Sequence, residues 1–150
     1  MPRNPYAPPK ASVADPVGAP PLVRPVVIRR AVQLLWIAFG TGLLGGISHA
    51  GSPGEPWSIT LGFLAVYGAI LAWLIVKVAR GRNWARITYL ILAVLSDVDS
   101  VSSLRPLQGF YGAHPGVLAL DLAGMVVEGA GVLLLFTRPA NAWFKARVET

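Results

Sequence analysis

The chain has 150 residues, 54% of them hydrophobic and only 13% charged, and a mean hydropathy of +0.57. A soluble domain usually carries about 25% charged residues, so half that fraction disfavours a soluble globule, and the length allows about one domain. With no cysteine, a disulfide framework, a thiolate metal site and a cysteine nucleophile are excluded. Two histidines, His49 and His114, supply a multi-histidine metal site poorly. A net charge of +6 would suit nucleic acid, but its distribution along the chain has a different explanation.

Eight of the thirteen prolines lie within residues 1–25. Proline removes backbone donors and favours extended chain, so residues 1–28 are expected to form a disordered cytoplasmic tail. A proline-rich ligand for a partner domain is the alternative. Four spans follow, near residues 31–48, 58–76, 86–104 and 116–136. Crossing about 30 Å of hydrocarbon takes roughly 20 residues, a length each run approaches. The third is strongly apolar only as far as Leu95. Residues 139–150 form a basic amphipathic end, either an interfacial helix or a frayed terminus. The expected fold is therefore all-α: a four-helix transmembrane domain over residues 29–138 between two flanking segments.

Charge gives the threading. Arg3, Lys10, Arg24, Arg29 and Arg30 precede the first span, Lys77, Arg80, Arg82 and Arg86 fall between the second and third, and Arg138, Lys145 and Arg147 follow the fourth. That places 12 of 13 basic residues on one face and leaves Arg105 on the other. The positive-inside rule then predicts cytoplasmic termini, and anionic headgroups rather than nucleic acid as the basic face's partner. Trp57, Trp84 and Trp143 fall at expected interfaces and read as anchors. Ser48-His49-Ala50 resembles a signal-peptidase site, but the long preceding tail and long apolar run favour an uncleaved first helix.

The anomaly is acidic. Asp97 lies roughly 12 Å and Asp121 about 9 Å below the outer surface by the helical rise, while Glu128 is one heptad deeper than Asp121. A carboxylate at the centre of a span costs on the order of 2.5–3.5 kcal/mol, so each needs a partner, water or a function. Three readings stay open. The carboxyls form a proton or cation column; they pair with Arg105 or bond to Ser96, Ser100, Ser103 or Thr41 as structural ties; or the third span ends early and leaves Asp97 and Asp99 wet. Glu128 is buried in all three. Gly42-x-x-x-Gly46 and Gly68-x-x-x-Ala72 offer close-packing faces. Gly40-x-Gly42-x-x-Gly45 matches a dinucleotide fingerprint but follows no strand. His49 and His114 flank the outer loops and read as solvent-exposed. No enzymatic constellation or cofactor site emerges.

The loop RGRNWAR and the ending LLLFTRPANAWF resemble those of small uncharacterised bacterial inner-membrane proteins. That resemblance, over roughly residues 30–145, implies four helices and an inner-membrane location, and no particular activity. Small multidrug exporters also have four helices but carry their membrane glutamate in the first, whereas here Glu128 is in the fourth. The expected role is a non-enzymatic component that binds or supports another, with a membrane-protein partner or a second copy of the chain as occupants of its surface. A small proton-coupled transporter using Glu128 is the alternative.

Overall fold

The computed structural model describes residues 23–50, 56–105 and 107–147. All regular structure among them is helical: α1 Val26–His49, α2 Trp57–Ala79, α3 Asn83–Ser103, α4 Gln108–Ala113, α5 Pro115–Leu135 and α6 Arg138–Ala146. Three of these, α1, α2 and α5, are long and apolar enough to cross a membrane, which makes this a membrane protein. Helix α3 matches α5 at 21 residues, but its second half is rich in serine and aspartate.

Local chemistry sets the helix ends. Extended Pro25 and Pro56 precede α1 and α2, and Pro115 opens α5, where the missing N–H costs nothing. Helix α2 stops at Gly81, whose φ of 83° closes a Schellman turn. The Arg82 N–H bonds to Lys77 O at 3.1 Å and the Gly81 N–H to Val78 O at 2.9 Å. Arg24 caps the same helix end by donating to Ala79 O.

Helix α1 lies between α2 and α5, α3 packs on α2, and the α3–α5 seam closing the bundle is thin. Small residues let α1 approach α5. A Cβ at Gly124 would lie 2.8 Å from Thr41 Oγ1, one at Gly131 would lie 2.9 Å from Leu35 Cδ2, and one at Gly45 would meet Asp121 Oδ1. Gly46 packs on Leu64 of α2 and Gly68 on Phe39 and Leu43 of α1, while Gly42 meets nothing within 4 Å. Gly46 and Gly68 therefore serve packing inside the bundle, whereas Gly42 faces open space.

The fully buried side chains gather at one end, where α6 folds under the bundle. Ile28 and Leu35, Leu74, Ile75 and Val78, Tyr89, Leu135 and Phe144 form one core. Two expectations need correction here. Residues 26–28, expected in the tail, are helical in α1 and Ile28 is fully buried; residues 1–22, with Arg3 and Lys10, lie outside the described residues. Trp143, expected as a lipid-facing anchor, is only 5% exposed, with its ring 2.9 Å from where a Gly81 Cβ would stand. An amphipathic helix next to an incomplete core gains more by burying its aromatics there than in the headgroup layer. Trp57 and Trp84, in contrast, are exposed in the first turns of α2 and α3.

A half-buried clasp holds this end. The Arg86 guanidinium donates to Leu135 O at 3.1 Å and to Asn141 Oδ1 at 2.6 Å, and lies 4.6 Å from the Phe144 ring centroid. Thus Arg86, read as one of four basic residues of a cytoplasmic loop, lies in the first turn of α3 and ties that helix to the C-terminal end of α5 and to α6. It satisfies a helix-end carbonyl that has no partner of its own. Arg80 and Arg82 stay exposed on the turn, and Lys77 sits 5.2 Å over the Trp73 ring.

Candidate functional site

Above this core, at the α4 end, α3 and α5 part and leave a cavity of about 550 Å³. That is within the usual range for a small-molecule site, roughly 300–1,000 Å³. The polar residues singled out in the sequence converge on it: Asp97 and Asp99 from α3, and Asp121 and Glu128 from α5. Asp121 and Glu128 share a helix face because seven residues make almost two turns.

At the floor, the Tyr89 hydroxyl donates to Glu128 Oε1 at 2.7 Å. Tyr89 is itself 1% exposed, so its ring belongs to the core while its hydroxyl faces the cavity, which suits an amphipathic side chain. The Tyr67 hydroxyl reaches Leu92 O at 3.4 Å, and the Tyr67 ring stacks on Phe63 at 5.4 Å between centroids and 9° between planes. Helix α2 thereby presents an aromatic wall opposite the acidic residues of α5.

At the mouth, His49 Nε2 lies 2.9 Å from Asp121 Oδ2, and the Tyr111 hydroxyl donates to the same oxygen at 3.1 Å. Burial, followed by the adjacent Asp121 carboxylate, pushes the Tyr111 phenol up to about 12, which keeps it a neutral donor at physiological pH. Phe110 of α4 packs against the His49 imidazole at 4.9 Å. The latch works only because Gly45 leaves room for the Asp121 carboxylate against α1.

The structure joins Asp97, Asp121 and Glu128 on one cavity but leaves Arg105 out. Arg105 is exposed, and the acidic groups with partners among the described residues use tyrosine and histidine. His49, read as a loop histidine, sits in the last turn of α1 and is 23% exposed. Tyr89, His49 and Tyr111 were not foreseen as partners; the available signal was that a tyrosine or carboxyl inside an apolar span must find one. Comparison of the chain with family models, curated proteins and solved structures found no match.

The balance of charge in the cavity is one-sided. Its described lining holds four carboxyl groups and His49, and no lysine or arginine. Among the described residues no three His, Asp or Glu side chains converge closely enough to hold a metal ion. The carboxyls are spread over the walls, so the cavity is electronegative without being a chelating site.

Proposed function

We propose that this chain is a non-enzymatic, multi-pass protein of a bacterial inner membrane whose acidic cavity binds a solute. In this reading α1, α2, α3 and α5 are four spans, with the termini, the α2–α3 turn and α6 on the cytoplasmic side beside anionic headgroups. The motifs RGRNWAR and FTRPANAWF and the 12-to-1 basic asymmetry support that placement. The cavity then opens outward. The observation that carries the role is the cavity itself, roomy and lined by four carboxyls without a lysine or arginine among its described residues. In hydrocarbon such groups are costly unless they serve a ligand, a proton or each other. A proton-coupled transporter is the second reading, favoured by the Tyr89–Glu128 contact at the floor.

The native chain has no cysteine, so single thiols report access cleanly. Ser96→Cys, on the cavity wall, is expected to react in intact cells with a membrane-impermeant maleimide. Val126→Cys, 72% exposed on an apolar helix, is expected to stay unlabelled in lipid, because the reactive thiolate needs water. An unlabelled Ser96→Cys would overturn the reading. Uptake driven by a pH gradient into reconstituted vesicles, lost in Glu128→Gln, would replace static binding with transport.

A further inference from the structure

The size, lining and dispersed charge of the cavity restrict what it can hold. An anion would meet four carboxyl groups and no lysine or arginine among the described lining residues. A zwitterion with its own carboxylate meets the same obstacle. A bare metal ion needs convergent ligands, and no three candidate side chains among the described residues supply them. A neutral apolar molecule would fill the space while stripping water from Asp97 on its wall and offering it no partner, which is costly.

One class satisfies every wall. The geometry points to a lipophilic organic monocation, its charge delocalised or quaternary, as the ligand of this cavity. This rests on the cavity being a solute site. The apolar body would lie against the Phe63–Tyr67 stack on α2, whose ring faces attract a weakly hydrated cation. Asp97 on α3 and Glu128 on α5 face the same volume from two other helices, so a charge spread over a large body can be shared between them where a small ion could not. Tyr89 holds Glu128 Oε1 and so fixes one carboxyl in place before the ligand arrives, which reduces the entropy lost on binding. The thin α3–α5 seam gives such a molecule a route in from the bilayer, where lipophilic cations accumulate.

Tetraphenylphosphonium and tetraphenylborate have the same shape and opposite charge, and equilibrium dialysis of the full chain in choline-free lipid nanodiscs, with empty nanodiscs subtracted, compares them directly. Saturable binding of the phosphonium is expected, with the borate at background. Asp97→Asn and Glu128→Gln should each weaken phosphonium binding about tenfold, and Phe63→Leu, a change at an exposed rim position, about fivefold. Thermal unfolding within a degree or two of wild type for each variant is expected to accompany these losses. Binding of the borate as well as the phosphonium, or phosphonium binding untouched by all three variants, would overturn the proposal. So would loss of phosphonium binding in nanodiscs of choline lipids, which would make a lipid headgroup the occupant. If Ser96→Cys is labelled but phosphonium does not bind, the ligand class falls and the solute cavity stands. If Ser96→Cys is inert, both fall.

Discussion

The two ends of the bundle use the same helices for opposite purposes. At the α6 end, four long helices and a short one bury Ile28, Leu35, Leu74, Ile75, Val78, Leu135 and Phe144 around an arginine whose hydrogen bonds go to a backbone carbonyl and an asparagine. At the α4 end, the helices meet through glycines, hydroxyls and carboxyls, and the space between α3 and α5 is left open. Tyr89 stands at the border, its ring in one region and its hydroxyl in the other. The difference shows how a chain this short can hold a cavity: stability is concentrated at one end, so the other does not have to be packed.

Substitutions at the packed end should therefore unfold the protein, and those at the open end should alter the site while sparing the fold. The largest effect is expected from Phe144→Ala, which empties a fully buried position and should cost about 3 kcal/mol, read by thermal unfolding in detergent. Gly81→Ala comes next, at about 2 kcal/mol. Its φ of 83° and the Trp143 ring beside it together make a side chain there strained. Tyr89→Phe keeps the ring and removes the hydroxyl bond to Glu128. It should cost about 1 kcal/mol, the scale of a hydrogen bond between helices of a membrane protein, and match the cost of Glu128→Leu. Glu128→Gln, which keeps a group able to accept from Tyr89, should be nearly neutral to stability. The smallest change in stability belongs to His49→Ala at the partly buried mouth, under about 1 kcal/mol, together with faster labelling of a thiol at Ser96. If His49→Ala unfolds the protein as Phe144→Ala does, the division between the two ends is wrong.

The long helices were legible in the sequence, but the division between a packed end and an open one was not, and the reasons differ by region. The long apolar runs located the four long helices, because apolar length is a local signal, but α1 begins at Val26, ahead of the span expected from residue 31. Counting residues along antiparallel helices put Asp97 and Asp121 at similar depths with Glu128 a heptad deeper, and left open whether the three share one space. The partners did not follow. The His49–Asp121 contact joins residues 72 apart and the Tyr89–Glu128 bond residues 39 apart, and neither helical periodicity nor hydropathy encodes which tyrosine meets which acid. Arg86 and Trp143 were misread for the same reason. Charge and amphipathicity place a residue at a boundary, yet only the tertiary packing of α6 beneath α3 and α5 decides whether it faces outward or inward. Helix α4 was missed because Gln108–Ala113 is too short to show a period.

The central claim is that one continuous helix, α3, passes from solid core to accessible cavity within about one turn. Single cysteines at Ala85, Ala93, Ser96 and Ser100, each labelled with a water-soluble maleimide in reconstituted protein, test this directly. Ala85 and Ala93 are 0% and 4% exposed, whereas Ser96 and Ser100 line the cavity. The account predicts negligible rates at the first two positions and rates rising steeply from Ser96 to Ser100. A uniform rate along the helix, or protection extending through Ser100, would contradict it.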